Sequence, residues 1–77
     1  MAKVTLYSKP DCTLCDDARD MLERVREHTP FELEEIDING ETRLLARYAE
    51  RIPVVAVDGR DVFDYIVDEA ELVRALG

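Results

Sequence analysis

Two cysteines, Cys12 and Cys15, are the residues whose type and spacing point most directly to chemistry. They lie in the stretch KPDCTLCDD, residues 9–17, and two aspartates follow the second of them at once. Thiols at this spacing can form a reversible disulfide, supply part of a zinc site, or be packed as small hydrophobic groups. The surrounding sequence has to distinguish these three possibilities.

The flanking residues place the pair between a strand and a helix. Residues 3–7 (KVTLY) are β-branched and aromatic and predict a strand, and residues 8–11 (SKPD) predict a turn. From Thr13 to Glu27, apolar side chains recur at helical spacing and are expected to face the core. These side chains are Leu14, Ala18, Met21, Leu22 and Val25.

The first turn of this helix suits a redox couple. Backbone N–H groups and the positive end of the helix dipole point at Cys12, which favours its thiolate form. Asp16 and Asp17 oppose the thiolate by an effect of comparable size, so we expect only partial ionisation. Cys15 is close enough to attack a mixed disulfide formed on Cys12. We therefore interpret Cys12 as the nucleophile and Cys15 as the resolving thiol.

Two other interpretations of the cysteines stay open. A structural zinc site takes about four ligands. Beyond the cysteines there is a single histidine, His28, about 20 Å away along the same helix at about 1.5 Å per residue. We therefore expect no metal site within one chain and interpret His28 as a surface residue of the helix end. Two packed, unreactive thiols are the remaining possibility.

Beyond the first helix, the sequence predicts a strand and a short helix. Residues 31–38 alternate apolar and polar side chains, but the phase slips near their end, where we expect a bend. Asn39-Gly40 predicts a turn or cap before a helix over residues 41–50. Its inward side chains are expected to be Leu44, Leu45 and Tyr48.

A hairpin and a third helix complete the pattern. Pro53–Val57 is typical of a central strand, and Asp58-Gly59 is a two-residue hairpin signal that returns the chain along residues 60–64. Asp68 is expected to cap the last helix with Glu71. Val67 is placed to form a hydrophobic staple with Leu72, and Leu72, Val73 and Leu76 are expected to face the core. The order βαβαββα predicts an α/β fold with a four-stranded mixed sheet flanked by helices.

Size and charge limit the architecture and the partners. The 77 residues make one small domain, 1–77, and no apolar run approaches the ~20 residues of a membrane span or resembles a signal peptide. Ten basic against eighteen acidic residues give a formal charge of −8, which repels phosphate backbones and anionic lipids. We therefore expect a cytoplasmic protein that binds neither nucleic acid nor membranes.

Two segments carry a resemblance to a known family. LYSKPDCTLC, residues 6–15, is similar to the strand, Lys, Pro and C-x-x-C block of the glutaredoxin branch of the thioredoxin superfamily. RIPVVAVDGR, residues 51–60, is similar to that family's proline-led strand and hairpin. The resemblance runs from end to end of the chain and implies a thioredoxin-like fold.

The resemblance also implies roles for individual residues. Cys12 and Cys15 keep the roles of nucleophilic and resolving thiols. The substrate-binding residues that it implies are Lys9, Arg51, Ile52 and Pro53. The two cations would lie near a substrate carboxylate, and the isoleucine would pair through its main chain with an extended substrate. The proline would form a cis peptide bond beside the cysteines, whereas the residues alone leave cis or trans open.

The chain departs from glutaredoxins at two places. Thr13-Leu14 stands between the cysteines where glutaredoxins usually carry Pro-Tyr. After the hairpin, glutaredoxins typically have a Gly-Gly turn and paired aspartates that cradle the γ-glutamyl end of glutathione, whereas this chain has Phe63-Asp64 and Ile66-Val67. Side chains at 63 and 64 would fill the space that paired glycines leave open, so we do not expect a glutathione site of the usual form.

The sequence thus predicts a dithiol oxidoreductase that reduces disulfides through Cys12 and Cys15 and needs no bound cofactor. Its substrate would be a disulfide-containing protein or a small thiol compound, and thioredoxin reductase and glutathione are the candidate reductants. Two alternatives from other classes stay open: a non-catalytic binding module with the same fold, and a dimer that shares an iron–sulfur cluster through its cysteines.

Overall fold

A computed structural model describes residues 2–48, 51–64 and 68–76. Within these residues the chain forms the four-stranded mixed sheet and the three flanking helices that the sequence predicts. The elements are β1 (Lys3–Ser8), α1 (Thr13–His28), β2 (Glu32–Asp37), a 3-10 turn (Ile38–Gly40), α2 (Thr42–Tyr48), β3 (Val54–Val57), β4 (Arg60–Asp64) and α3 (Glu69–Leu76).

β1 lies in the interior of the sheet, whose strand order is β2-β1-β3-β4. It pairs in parallel with β2 and antiparallel with β3, and β3 pairs antiparallel with β4. A parallel pair needs a crossover, which α1 supplies, whereas the last two strands need only a tight turn. The loop that follows β1, with both cysteines after it, therefore leaves the sheet at an interior strand.

The sheet separates two apolar clusters, because successive residues of a strand point to opposite faces. The larger cluster lies against α1 and α3 and consists of Val4, Leu6, Ala18, Met21, Leu22, Val25, Phe31, Val55, Val57, Phe63 and Leu72. The smaller cluster lies against α2 and consists of Cys15, Ile38, Tyr48, Ile52 and Val54, with Cys12, Tyr7, Leu44 and Leu45 packed against it. The cysteines therefore belong to the smaller cluster.

β2 lies at an edge of the described sheet and carries a run of acidic side chains, ELEEID. Only one of them has a close cation from the neighbouring strand, since Lys3 Nζ lies 3.0 Å from Glu34. The bend expected near the end of this strand is the 3-10 turn Ile38–Gly40, which begins where Asp37 Oδ1 accepts the backbone N–H of Asn39 at 2.8 Å.

The predicted hairpin turn and the predicted cap of the last helix are both confirmed. Asp58 and Gly59 have φ angles of 52° and 87°, as a two-residue hairpin of the primed type requires. At the start of α3, Asp68 Oδ1 accepts the backbone N–H of Glu71 at 3.2 Å. The predicted staple partner Val67 lies outside the described residues.

Two side chains predicted to face the core are exposed instead. Leu14 is 40% exposed and Val73 is 42% exposed. In α1 the buried face begins at Cys15. The sequence could not decide this, because the series 14, 18, 21, 25 and the series 15, 18, 22, 25 both fit the helical period. In α3 the fully buried residue is Leu72, and Val73 lies about 100° further around the helix.

The second helix begins one residue later than predicted. It spans Thr42–Tyr48, and the last two residues of the predicted 41–50 lie outside the described part. Tyr48 is buried, whereas Leu44 and Leu45 are only partly so. Of the helices in the described part of the chain, none combines the length and hydropathy needed to span a bilayer.

We predict that Leu22→Ala lowers the free energy of unfolding by about 2–5 kcal/mol, because it leaves a cavity in the larger cluster. Leu14→Ala removes the same atoms from an exposed position and should change it by less than about 0.5 kcal/mol. Urea denaturation followed by circular dichroism measures both variants. Similar losses for the two would contradict the outward position of Leu14.

Candidate active site

Cys12 occupies the N-cap of α1, the position that serine, threonine or aspartate usually takes. Its backbone is extended, with φ −108° and ψ 107°, and follows a turn in which Asp11 has φ 60°. The Cys12 sulfur accepts the backbone N–H of Cys15 at 3.2 Å, and its carbonyl accepts that of Asp16 at 3.1 Å. The sulfur is therefore held at the positive end of the helix dipole.

Cys15 differs sharply from Cys12 in its surroundings. Its side chain is fully buried, whereas Cys12 is only partly so. Burial raises the pKa of the Cys15 thiol to about 12, and a hydrogen bond with the Cys12 sulfur acts in the same direction. A hydrogen bond with the backbone of Lys9 acts in the opposite direction. The structure thus brings the two thiols together as one accessible group and one buried group.

The segment before β3 lies in the same cluster as the cysteines. Ile52 is buried among Cys15, Tyr48 and Val54, and Pro53 is fully buried. The Ile52–Pro53 peptide bond is cis, the form that the resemblance implied. The sheet pairing of β3 begins only at Val54, so Ile52 precedes the ladder.

The two predicted cations lie in different surroundings. Lys9 is exposed in the loop between β1 and the Cys12 cap, where it lines a cleft together with Asp11 and Asp16. Arg51 directly precedes Ile52 and is half-buried. Its guanidinium lies 5.6 Å from the centroid of the Tyr48 ring and 4.0 Å from Asp61.

Beneath the same cleft lies a hydrogen-bonded group that the sequence did not reveal. Arg19 donates from Nε to Glu35 Oε1 at 2.7 Å and makes a second contact with Oε2, to which the buried Ser8 hydroxyl donates at 2.8 Å. Arg19 also donates to Asp16 Oδ1 at 2.9 Å. The Asp16 charge, expected to oppose a Cys12 thiolate, is therefore partly offset by a guanidinium.

A second unforeseen group surrounds Tyr48. Its ring stacks on Tyr7 with centroids 4.5 Å apart, and its buried hydroxyl donates to both carboxylate oxygens of Asp61 at 3.3 Å. Burial raises the pKa of Tyr48, and the negative charge of Asp61 acts in the same direction. Arg47 lies 5.3 Å from the ring centroid. The sequence marked Tyr48 only as an inward residue.

Other sequence candidates lie away from the cysteines. His28 is exposed in the last turn of α1. Across residues 2–48, 51–64 and 68–76, no group of three or more His, Cys, Asp or Glu side chains is arranged to hold a metal ion. Phe63 in β4 pairs with Val55 in β3, and its side chain packs into the larger cluster. A strand residue of the core therefore stands where glutaredoxins typically have the first glycine of the turn.

A family model and several known proteins match most of this chain. A model described as "Glutaredoxin-like domain (DUF836)" matches residues 3–77. A glutaredoxin-like protein of Dictyostelium discoideum is 29% identical over 75 residues, which cover 90% of this chain and 69% of that protein. An uncharacterized protein of Mycobacterium bovis is also 29% identical, with 91% and 77% covered.

Solved structures show the fold. Protein Ne2328 from Nitrosomonas europaea superimposes with a TM-score of 0.88 at 27% identity, covering 99% of this chain and 92% of that one. A mutant thioredoxin from Halobacterium salinarum has a TM-score of 0.71 at 21% identity, covering 97% and 71%. The fold is therefore thioredoxin-like.

We predict that iodoacetamide modifies reduced, native protein at Cys12 and leaves Cys15 unmodified at neutral pH. A thiol with a pKa of about 12 is ionised in only about one molecule in 100,000 at pH 7, and burial also blocks access to Cys15. Peptide mass spectrometry identifies the modified residue. Unfolded protein should gain two adducts, and an unreactive Cys12 in the native protein would leave the thiols as inert packed groups.

The Arg19 guanidinium, followed by the Ser8 hydroxyl, lowers the pKa of Glu35 below its ordinary 4.5. Because the folded value is the lower one, this stabilisation is present above pH 4.5 and is lost as the pH falls through the folded value. Arg19→Gln should therefore lower the urea midpoint at pH 7 and flatten its fall on acidification. Arg74→Gln is the control, because it removes an exposed ion pair in which Arg74 lies 3.9 Å from Glu71. It should leave the fall of the urea midpoint on acidification unchanged.

Proposed function

Because this chain belongs to the glutaredoxin-like domain (DUF836) family and has a thioredoxin-like fold, we propose that it is a thiol–disulfide oxidoreductase. It reduces disulfides through Cys12 and Cys15. The observation that carries the proposal is the asymmetry of the two thiols: Cys12 is accessible at a helix N-terminus, and Cys15 is buried directly behind it. Two inert packed thiols would not need this arrangement.

In the first step, the Cys12 thiolate attacks one sulfur of the substrate disulfide. A bond forms between that sulfur and Cys12, the substrate S–S bond breaks, and the departing thiolate takes a proton from solvent. The N–H of Cys15, which donates to the Cys12 sulfur at 3.2 Å, stabilises the thiolate before the attack. The partial exposure of Cys12 gives the substrate access.

In the second step, Cys15 attacks the Cys12 sulfur of the mixed disulfide, and the substrate thiolate leaves with the proton that Cys15 loses. Burial, followed by a hydrogen bond with the Cys12 sulfur, raises the pKa of the Cys15 thiol in the reduced protein. The first attack on substrate is therefore made by Cys12 and not by Cys15.

The substrate is proposed to lie beside the Ile52–Pro53 segment. Ile52 packs in the cysteine cluster and precedes the β3 ladder, which supports main-chain pairing of this residue with an extended substrate. Lys9 and Arg51 would contact a substrate carboxylate. We place the reaction in the reducing environment of the cytoplasm, where such a dithiol is regenerated.

Thioredoxin reductase is the reductant we favour over glutathione. The Phe63 side chain packs into the core, where a glutathione site of the usual form would need the close backbone approach that glycine allows. No part of the proposed cycle requires a bound cofactor, because both electrons pass through the two sulfurs.

Disulfide reduction tests the proposal directly. Wild-type protein should reduce a protein disulfide such as that of insulin, with NADPH and thioredoxin reductase regenerating the dithiol. Cys12→Ser should lose at least about 100-fold in rate, because it removes the nucleophile. Cys15→Ser should instead accumulate a mixed disulfide with substrate, visible as an intact adduct by mass spectrometry.

Two outcomes would contradict this scheme. Undiminished activity in Cys12→Ser would exclude Cys12 as the nucleophile. Regeneration by glutathione with its reductase, and not by thioredoxin reductase, would show that Phe63 does not prevent glutathione use.

A further inference from the structure

A buried serine ends the strand that leads to the cysteines. Ser8 is the last residue of β1, and its hydroxyl donates to Glu35 Oε2 on β2 at 2.8 Å. A buried hydroxyl without a partner is unfavourable, so this hydrogen bond holds the end of β1 against β2. Lys9 follows directly, and the loop then continues to the cap at Cys12.

Glu35 also holds the helix that carries the cysteines. Its Oε1 accepts from Arg19 Nε at 2.7 Å, and its Oε2 makes a second contact with the same guanidinium. Arg19 lies in α1, about one turn after Cys15. A bidentate contact of this kind is stronger and more specific in geometry than a hydrogen bond between neutral groups. One carboxylate on β2 thus ties the end of β1 to the first turns of α1.

The loop between these two held points contacts the resolving thiol. The backbone of Lys9 makes a hydrogen bond with the Cys15 sulfur, which favours the thiolate form of that group. Burial opposes the thiolate, so this contact supports the form of Cys15 that must attack the mixed disulfide. Because Lys9 directly follows Ser8, the hydrogen bond to Glu35 lies one residue away from this contact.

The conformation of the loop depends on the contacts at its two ends. Asp11 has φ 60°, in the left-handed region that residues with a side chain rarely occupy. A residue persists there when the surrounding contacts hold the chain in place. The cap at Cys12 holds the end of the loop, and the hydrogen bond between Ser8 and Glu35 holds its start. Loss of the second contact would release the start of the loop while the cap keeps Cys12 in position.

We propose that Glu35 is a positioning residue for the second step of disulfide reduction. It holds the Ser8 hydroxyl and the Arg19 guanidinium, and through them it keeps the Lys9 backbone on the Cys15 sulfur. Loss of Glu35 therefore slows the attack of the resolving thiol on the mixed disulfide and leaves the first attack, by the nucleophilic thiol, unchanged. The inference rests on the proposed disulfide reduction and assigns to it a side chain outside the C-x-x-C segment.

The two steps are measured separately by mixing pre-reduced protein with one equivalent of 5,5′-dithiobis(2-nitrobenzoate). Cys12 attacks one sulfur of the reagent, forms a mixed disulfide and releases a first thionitrobenzoate anion. Cys15 then loses its proton to solvent and attacks the Cys12 sulfur, which closes the intramolecular disulfide and releases the second anion. Rapid-mixing absorbance follows both releases, and mass spectrometry of acid-quenched samples measures the mixed disulfide.

Glu35→Ala should slow the second release by about threefold to tenfold, the effect of weakening one hydrogen bond, and change the first by less than about twofold. The mixed disulfide should therefore persist longer in this variant. Ser8→Ala keeps the ion pair of Glu35 with Arg19 and should also slow the second release. Because both substitutions break the same hydrogen bond, the double variant should be no slower than Glu35→Ala.

Glu34→Ala is the matched control, because it removes the same side chain from the neighbouring position of β2. Glu34 lies 3.0 Å from Lys3, at the other end of β1, and its loss should change neither release by more than about twofold. Glu35→Gln keeps an oxygen that can accept a hydrogen bond but loses the charge, so it should recover part of the second rate. Circular dichroism checks that each variant is folded, and a merely less stable protein would not slow the second release alone.

The outcomes are distinguishable. If Glu35→Ala slows both releases equally or neither, or if Glu34→Ala reproduces its effect, Glu35 is not a positioning residue and the oxidoreductase proposal stands. If Ser8→Ala leaves the second release unchanged, the connection through Ser8 is wrong. If reduced wild-type protein releases no thionitrobenzoate, the oxidoreductase proposal itself fails, and the role of Glu35 fails with it.

Discussion

The rest of the site depends on one contact, the hydrogen bond from the backbone N–H of Cys15 to the sulfur of Cys12. Every helix begins with N–H groups that have no partner inside the helix, and here a sulfur satisfies one of them. The contact holds the Cys12 sulfur at the first turn of α1, and the side chain of Cys15 in the same turn is fully buried. A serine could make a similar cap, but its oxygen could not form the disulfide with Cys15 that we propose.

The sheet and the apolar cluster beside it surround this contact. β1 runs inside the sheet, and Cys15, at the start of the helix that follows it, packs in one cluster with Ile38, Ile52 and Val54. Charges are distributed unevenly around this apolar centre. Arg19 ties the acids of the cleft together on one side, and on the other Tyr48 and Asp61 hold two arginines. The thiols thus lie between surroundings of different charge.

Sequence reasoning succeeded wherever neighbouring residues decide the structure. The strand before Cys12, the hairpin at Asp58-Gly59 and the cap at Asp68 depend on residues at most three positions apart. It failed where two helical faces were compatible with the same apolar spacing, which is why Leu14 was expected inside. It also missed the contacts of Arg19 with Glu35 and of Tyr48 with Asp61, 16 and 13 residues apart. Those pairs depend on how α1 lies over β2 and α2 over β4, and a single sequence does not give that relation.

The acidic run of β2 has a consequence for how copies of the protein behave towards one another. β2 is an edge strand of the described sheet, and its exposed glutamates make this edge negatively charged. An edge strand with unpaired N–H and C=O groups can pair with a strand of another molecule. Repulsion between the negatively charged edges of two copies opposes this pairing. The negative charge that repels acidic ligands therefore also opposes aggregation of the protein through the β2 edge.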